Sequence, residues 1–193
     1  DGEDLQEMMG RLGGPLPEAQ VLPWIGQICD ALQYLHTQDP PVIHRDLKPA
    51  NIRITKDGQA MLVDFGIAKV YDAKLRTTVG ARAITPGFSP PEQYGQGKTD
   101  AQSDVYALGA TLYAVLTGHT APDSVDVLTR VAPAPAPART LNPAVSPHVS
   151  AAIEHAMQSE KTARFSNIAE FKAALQSSAD AFAAAPAAAP APV

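Results

Sequence analysis

Two polar segments on either side of a predicted hairpin constrain the fold of this chain more than any other feature. Residues 44–51 are His-Arg-Asp-Leu-Lys-Pro-Ala-Asn, and residues 64–66 are Asp-Phe-Gly. Short apolar or alternating stretches lie between them at residues 52–54 and 61–63, separated by Lys-Asp-Gly at residues 56–58. Alternation around an Asp-Gly pair predicts a β-hairpin. The chain must therefore fold around a hairpin that carries charged and amide side chains at its two ends.

Helical periodicity dominates the rest of the sequence. Apolar residues recur at three-and-four spacing over residues 17–36, with Pro17 in the first turn and Pro23 as a candidate kink. A second helix is predicted from about residue 101 to 116, with Asp104 near its start and Gly118 just beyond its end. Two more amphipathic segments cover residues 150–157 and 166–175. We therefore predict a mainly α fold with a small β-hairpin.

The remaining segments are predicted to be irregular. Residues 67–93 contain several Gly and Pro residues without a sustained period, which predicts a long functional loop. An Ala/Pro run at residues 131–139 predicts an extended connector. Residues 1–177 are expected to form one globular unit, and residues 178–193 an Ala/Pro-rich disordered tail or linker.

Composition narrows the class of protein. The formal net charge of −5 and the lack of clustered Lys and Arg argue against a nucleic-acid partner. Cys29 is the only cysteine, and it falls on the apolar stripe of its helix, so no internal disulfide is expected. We find no apolar run of membrane-spanning length and no signal peptide at the first residues. A cytoplasmic location is expected, although segments beyond the tail could anchor a parent protein to a membrane.

The two polar segments resemble the catalytic loop and the metal-binding triplet of protein kinases in residue type, order and separation. The resemblance implies phosphoryl transfer from ATP, in which the protein positions the reactants and neutralises charge. It implies that Asp46 accepts the hydroxyl proton and that Asn51 and Asp64 bind Mg²⁺, with Mn²⁺ as an alternative. Lys48 corresponds to a lysine that contacts the transferred phosphate in serine/threonine kinases, which favours protein Ser or Thr as the substrate.

Further residues match structural positions of the same family. Residues 85–92, which include Thr85 and Glu92, resemble the substrate-docking loop and its closing motif. Asp104 resembles the aspartate that accepts hydrogen bonds from catalytic-loop amides. Arg164 resembles a late arginine that forms a buried ion pair with Glu92.

Regulation is also implied by the resemblance. Arg45 directly precedes the expected base, an arrangement that accompanies control by phosphorylation of the activation loop. Thr77 and Thr78 are the expected phosphate acceptors, and Lys69 could assist Arg45 in binding the phosphate. His44, Phe65 and Gly66 complete the two motifs as structural residues.

The resemblance begins near Gly2, ends near Leu175 and covers only the C-terminal lobe of the kinase fold. The glycine-rich flap, strand lysine and helix glutamate of the N-terminal lobe are not found in the sequence, so that lobe is expected as a missing partner. Asp4 would contact the ribose, and Arg53 stands where most members place an aliphatic residue below the adenine. We expect the isolated piece to bind ATP weakly, to expose an apolar face near His44 and Phe65, to aggregate and to have little kinase activity. The motif sequences and the high Ala and Pro content look most like those of bacterial signalling kinases.

Alternatives remain for single residues and for the whole chain. Asp46 alone could be a turn carboxylate, Asp64 a strand-end cap and His44 a core histidine. The other histidines, such as His36, are expected to have surface or packing roles. Rival functions are a catalytically inactive lobe or pseudokinase that acts as a protein-binding module, and a phosphotransferase for small molecules.

Overall fold

Helices are the main regular structure of the described residues, with two small sheets beside them. The computed structural model describes residues 2–64, 69–70, 84–95 and 97–177. The strands are β1 (Gly2–Asp4), β2 (Val42–Ile43), β3 (Ile52–Thr55), β4 (Ala60–Leu62) and β5 (Lys69–Val70). The helices are α1 (Leu5–Leu12), α2 (Glu18–His36), α3 (Pro91–Tyr94), α4 (Ala101–Thr117), α5 (Ser124–Leu128), α6 (Ala138–Leu141), α7 (Pro147–Ala156) and α8 (Ile168–Gln176). Single 3₁₀ turns occur at Pro49–Asn51 and Lys161–Ala163.

Helix α4 is the centre of the core. All its residues from Ser103 onward are buried, as expected for a helix that is apolar on every side. The Asp100 carboxylate caps its N-terminus, and Gly118 ends it in the left-handed conformation with φ 74°. Helices α2, α7 and α8 pack around α4. The prediction of this helix, including its glycine end, is confirmed.

Helix α2 presents the predicted apolar stripe to the core. Its buried residues are Val21, Trp24, Ile25, Ile28, Cys29 and Leu32. The helix begins one residue later than predicted, because Pro17 lies at the N-cap in an extended conformation (ψ 133°). It continues through Pro23. At the C-terminal end of α2, His36 lies close to the start of the polar segment that follows β2.

The predicted hairpin is present and belongs to a larger sheet. β3 and β4 pair antiparallel, and Arg53 lies opposite Met61. On the other edge of β3, β1 adds a third antiparallel strand with Asp4 opposite Arg53. β2 pairs with β5 in a separate two-stranded sheet. The sequence predicted neither β1 nor β5, because both pairings join short segments that are distant in sequence.

Other differences from the sequence predictions concern short elements. α1, α5 and α6 were not predicted. The connector predicted at residues 131–139 ends at Pro137, because α6 begins at Ala138. The loop predicted at residues 67–93 contains β5 and the start of α3. The last two predicted helices correspond to α7 and α8, with ends shifted by a few residues. Residues 178–193 lie outside the described part, so the division at residue 177 stays a prediction.

Across the described ranges, every helix falls short of the length and apolar character that a membrane span requires.

Candidate active site

The buried carboxylate of Asp104 on α4 binds the backbone at the start of the polar segment at residues 44–51. Asp104 Oδ2 accepts a hydrogen bond from the main-chain amide of His44 at 2.9 Å, and Oδ1 accepts one from the amide of Arg45 at 2.9 Å. Arg45 has φ 69°, a conformation that costs energy for a non-glycine residue. The side-chain amide of Gln93 donates to the Arg45 carbonyl at 2.7 Å. Contacts from α4 and α3 therefore fix the backbone that leads into Asp46.

Sequence analysis missed the third partner of Asp104. His36 Nε2 lies 2.8 Å from Asp104 Oδ2, and the His36 side chain is only 7% exposed. This contact differs from the surface or packing role that the sequence predicts for His36. His36 lies at the C-terminal end of α2, close in sequence to the polar segment at residues 44–51, but no pattern indicates a contact with a residue 68 positions away.

Three side chains of the predicted site donate hydrogen bonds to the carboxylate of Asp46. Asp46 Oδ2 accepts hydrogen bonds from Lys48 Nζ at 2.7 Å and from Asn51 Nδ2 at 3.0 Å. Asp46 Oδ1 accepts one from the Thr85 hydroxyl at 2.8 Å. The Asp46 side chain is 7% exposed, whereas that of Lys48 is 28% exposed. Thr85 thus joins the segment at residues 84–90 directly to the polar segment at residues 44–51.

The three donors around Asp46 leave one acceptor position of its carboxylate for a further hydrogen-bond donor. A carboxylate has about four acceptor positions on its two oxygens. Two on Oδ2 and one on Oδ1 are used by the described residues. The fourth, on Oδ1, lies beside the Thr85 hydroxyl. A substrate hydroxyl that reached this position could transfer its proton to Asp46.

Asn51 and Asp64 lie on adjoining backbone at the end of the hairpin. The main-chain amide of Val63 donates to the Asn51 carbonyl at 3.0 Å, which places Asp64 one residue further along. Asp64 is exposed and has φ 60°. Asn51 is 2% exposed, and its side-chain nitrogen donates to the Asp46 carbonyl at 2.7 Å as well as to the carboxylate. This orientation leaves the amide oxygen as the atom that can ligate a cation.

The donor set suits a hard divalent cation in part. One amide oxygen and one exposed carboxylate are ligands that Mg²⁺ accepts, and Mg²⁺ usually takes few protein ligands and completes its shell with phosphates and water. No group of three or more His, Cys, Asp or Glu side chains that could hold a metal occurs among the residues described. Asn51 and Asp64 therefore fit a cation that arrives with a phosphate ligand better than a cation held by protein alone.

Glu92 and Arg164 form a two-point ion pair. Arg164 Nη1 and Nη2 donate to the two Glu92 oxygens at 2.8 and 3.0 Å, and the Arg164 side chain is fully buried. The Ser103 hydroxyl donates to Glu92 Oε1 at 2.8 Å. Burial opposes ionisation of Glu92, but the hydrogen bonds and positive charge of Arg164 outweigh it and hold the pKa of Glu92 below its ordinary value.

The remaining predicted residues have varied positions. His44 is fully buried, so the expectation that it contributes to an exposed apolar face is wrong. The Asp4 side chain caps α1 by accepting from the Glu7 amide at 2.8 Å, and the Glu7 carboxylate accepts from the Asp4 amide at 3.0 Å. This capping box explains why α1 begins at Leu5. Phe65, Gly66, Thr77 and Thr78 lie outside the described residues, as does the side chain of Lys69.

The chain is similar to a described family along most of its length. The family described as protein kinase domain matches residues 1–176. Serine/threonine-protein kinase Pkn1 of Myxococcus xanthus is 38% identical over 180 residues, which cover 86% of this chain and 25% of that protein. Serine/threonine-protein kinase PknB of Mycolicibacterium smegmatis is 34% identical over 182 residues, which cover 91% of this chain and 28% of that protein. The chain thus spans about a quarter of the length of these relatives.

Solved structures have the same fold. The kinase domain of PknI from Mycobacterium tuberculosis, solved as a double mutant, superposes with a TM-score of 0.67 at 26% identity and covers 91% of this chain and 62% of that one. A structure described as the apo form of PpkA-294 gives a TM-score of 0.73 at 24% identity, covering 91% of this chain and 60% of that one. The likeness extends over nearly all of the chain and over less than two thirds of each neighbour.

Proposed function

Because this chain belongs to the protein kinase domain family, we propose that it is the C-terminal lobe of a serine/threonine protein kinase that transfers the γ-phosphate of ATP to protein hydroxyls. One observation carries the proposal: the Asp46 carboxylate is enclosed by Lys48, Asn51 and Thr85 and retains one acceptor position. A carboxylate that is fixed on several sides but still able to take a proton is suited to general-base catalysis.

Each polar side chain of the site has a distinct part in the proposed reaction. Mg·ATP, when bound, supplies the phosphoryl group and cationic charge that offsets the developing negative charge. Asp46 orients the acceptor hydroxyl and takes its proton at Oδ1. Lys48 brings an ammonium group to within 2.7 Å of Asp46 Oδ2, where it can contact a phosphoryl oxygen near the base. Thr85 fixes the rotamer of Asp46 through its hydroxyl and connects the base to the segment proposed to dock the protein substrate.

The proposed cation ligands are Asn51 and Asp64. The Asn51 amide oxygen is presented because its nitrogen is held by Asp46. The exposed Asp64 carboxylate can reach a cation that enters from solvent with the nucleotide. Mn²⁺ would be accepted by the same oxygen ligands.

A second lobe is proposed to complete the nucleotide site. The chain covers 62% of the PknI kinase domain, and its sequence contains no counterpart of the glycine-rich flap, the strand lysine or the helix glutamate. Asp4 and Arg53 face each other across β1 and β3, and we propose that this edge lies beneath the ribose and the adenine. An isolated chain would then bind ATP weakly and phosphorylate little.

Control by phosphorylation is a further part of the proposal. Arg45 lies beside the base, and a phosphate on Thr77 or Thr78 would add negative charge to the segment between β5 and residue 84. Such a phosphate would attract the Arg45 guanidinium. A Thr77→Ala/Thr78→Ala variant of the full-length protein that kept full activity would show that this segment is not the switch.

The decisive experiment measures phosphate transfer by the full-length gene product. Purified protein is incubated with a protein substrate and Mg·ATP labelled at the γ-phosphate. Labelled phosphoserine and phosphothreonine are then quantified after partial acid hydrolysis of the substrate. Asp46→Asn should lower transfer by at least about a hundredfold, the lower end for losing general-base catalysis. Asp64→Asn removes a proposed cation ligand and should also lower transfer strongly. Asp57→Asn, in the exposed hairpin turn, is the matched control and should keep wild-type activity.

Two outcomes would contradict the proposal. If Asp46→Asn transferred phosphate as fast as wild type, Asp46 would not be the base. If the wild-type protein transferred no phosphate but bound a protein partner unaffected by Asp46→Asn, the chain would be the binding module of the rival interpretation. Transfer to a small molecule, with none to protein Ser or Thr, would favour the other rival.

A further inference from the structure

An exposed Ala/Pro segment joins α5 to α6 on the surface. Residues 131–137 are Val-Ala-Pro-Ala-Pro-Ala-Pro, and they follow the turn at the C-terminal end of α5. Neither the candidate active site nor the core includes this segment. Its sequence is that of a plain connector, and the segment lies outside the helices and strands of the fold.

Burial along this segment repeats every third residue. Ala132 and Pro135 are half-buried, whereas the two residues after each of them are exposed, and the segment ends where α6 begins at Ala138. A polyproline II helix has three residues per turn, so every third residue lies on the same face. The pattern is the one expected if a polyproline II helix rests on the protein along one edge and shows its other two edges to solvent.

Main-chain hydrogen bonding agrees with this conformation. Over the described residues, the main-chain groups of residues 133–136 make no hydrogen bond to the protein. A polyproline II helix has no internal hydrogen bonds, and its carbonyls remain available to a partner. The segment is therefore an acceptor-rich, extended rod about 15 Å long over five residues.

Both ends of the rod are anchored. At the start, the amides of Val131 and Ala132 donate to the Asp126 carbonyl at 2.8 and 3.0 Å, and Arg130 takes φ 61° between α5 and the rod. At the end, Pro137 is the N-cap residue of α6, and its carbonyl accepts from the Thr140 amide at 2.8 Å. The side-chain amide of Asn142 donates to the Leu116 carbonyl at 2.7 Å. Anchoring at both ends lowers the conformational entropy that the segment would lose on binding.

The exposed edges have a chemistry that a partner can recognise. One exposed edge carries Ala134 and Pro137, and the other carries Pro133 and Ala136, while Val131, 77% exposed, precedes the rod. Exposed apolar surface on an extended proline-rich rod suits a groove lined with aromatic side chains.

Positive charge lies at both ends of the rod. Arg130 and Arg139 are exposed on either side of it, and Leu128, 49% exposed, extends the apolar surface toward α5. Charge complementarity therefore favours acidic residues at the rim of the partner's groove.

We propose that residues 132–137, flanked by Arg130 and Arg139, are a preformed polyproline II ligand for a protein module with an aromatic-lined groove and an acidic rim. The proposal does not depend on the proposed phosphotransfer. A protein that failed every kinase assay could still bind such a module, and an active kinase could fail to bind it.

The test uses three purified polyproline-binding modules, an SH3 domain, a WW domain and an EVH1 domain, each titrated into the ¹⁵N-labelled chain. At least one module should give saturable chemical-shift changes centred on residues 131–139. Pro133→Ala/Pro135→Ala, which leaves the Pro137 cap in place, should weaken binding by about tenfold or more. Arg139→Gln should weaken it less at high salt than at low salt, because ionic screening already removes part of the charge attraction.

The tail supplies a matched control. Pro186→Ala/Pro190→Ala/Pro192→Ala removes prolines from an Ala/Pro sequence of similar composition and should leave the affinity unchanged. Unchanged thermal midpoints for both variants would show that a loss of binding does not come from unfolding.

Three results would overturn the proposal: no saturable binding by any of the three modules, binding that survives Pro133→Ala/Pro135→Ala, or binding lost with the tail variant. A change in oligomeric state caused by Pro133→Ala/Pro135→Ala would instead identify the rod as a contact between copies of this chain, and would also overturn it.

Discussion

The guanidinium of Arg164 meets the carboxylate of Glu92 in a parallel two-point contact, with nitrogen–oxygen distances of 2.8 and 3.0 Å. The same guanidinium donates to the main-chain carbonyls of Gln158 at 2.7 Å and Ser159 at 3.1 Å. Its carbon also lies 4.9 Å from the centre of the Tyr106 ring. The pair therefore joins the segment around α3 to the turn before α8 through a fully buried cation.

Removal of one partner should destabilise the chain strongly. Arg164→Ala leaves the Glu92 carboxylate without its cation, and Glu92→Ala leaves a buried guanidinium without its anion. Each should lower the free energy of unfolding by about 3–5 kcal/mol, measured by urea denaturation followed by circular dichroism. Lys172→Ala, which breaks an ion pair to the 68% exposed Asp30, is the control and should cost less than about 1 kcal/mol. Equal losses in the free energy of unfolding for Arg164→Ala and Lys172→Ala would show that the buried pair stabilises the chain no more than an exposed pair does.

Stability should fall in acid partly through Glu92. The folded-state pKa of Glu92 is below its ordinary value of 4.5, so the ionised group favours the folded state above that value. This contribution is lost as the pH falls through the lower, folded-state pKa. Thermal midpoints measured between about pH 7 and about pH 3 should therefore decrease more for wild type than for Glu92→Gln, which cannot titrate at this position. Parallel curves for the two proteins would assign the acid sensitivity to other carboxylates.

Elements with a strong local pattern were predictable from the sequence. α2 and α4 each carry a long run of apolar residues, and the β3–β4 hairpin is marked by alternation around an Asp-Gly pair. The helix α1 was missed even though Asp4 and Glu7 form a capping box and Gly13 ends the helix in the left-handed conformation. Its eight residues include only four large apolar side chains, so the local apolar signal was weak.

The residue types of the candidate site were predictable, but their contacts were only partly so. Asp46, Lys48 and Asn51 lie within six residues, so a single turn of chain brings them together. Thr85 reaches Asp46 from 39 residues away, and His36 reaches Asp104 from 68. Such contacts depend on how α2 and α4 pack, which no local pattern encodes. The catalytic and metal-binding roles stay predictions until activity is measured.

Asp104 is predicted to hold the catalytic segment in place. Asp104→Ala removes the acceptor for two main-chain amides and for His36. Each buried donor left unsatisfied costs about 1–3 kcal/mol, so the loss in the free energy of unfolding should exceed that from removing any single contact. His36→Ala removes only one donor to Asp104 and should cost less. Urea denaturation of both variants gives the comparison, with Asp57→Ala in the exposed hairpin turn as control. If His36→Ala cost as much as Asp104→Ala, the main-chain contacts would contribute little.

Gly87 and Gly58 provide a matched pair for the segment that carries Thr85. Both have left-handed backbone, with φ 82° and 78°, so alanine at either site meets the same intrinsic strain of about 1–2 kcal/mol. A Cβ at Gly58 would meet no atom within 4 Å, whereas one at Gly87 would lie 2.7 Å from the Ala121 carbonyl oxygen and also overlap the Thr120 methyl. Because main chain must move to accept it, Gly87→Ala should cost about 1–3 kcal/mol more than Gly58→Ala in urea denaturation. Gly87→Ala should also displace Thr85 from Asp46, which a changed chemical shift of the Thr85 methyl group would report. Similar costs for the two variants, with an unchanged Thr85 signal, would mean that the segment can shift away from Thr120 and Ala121 without moving Thr85.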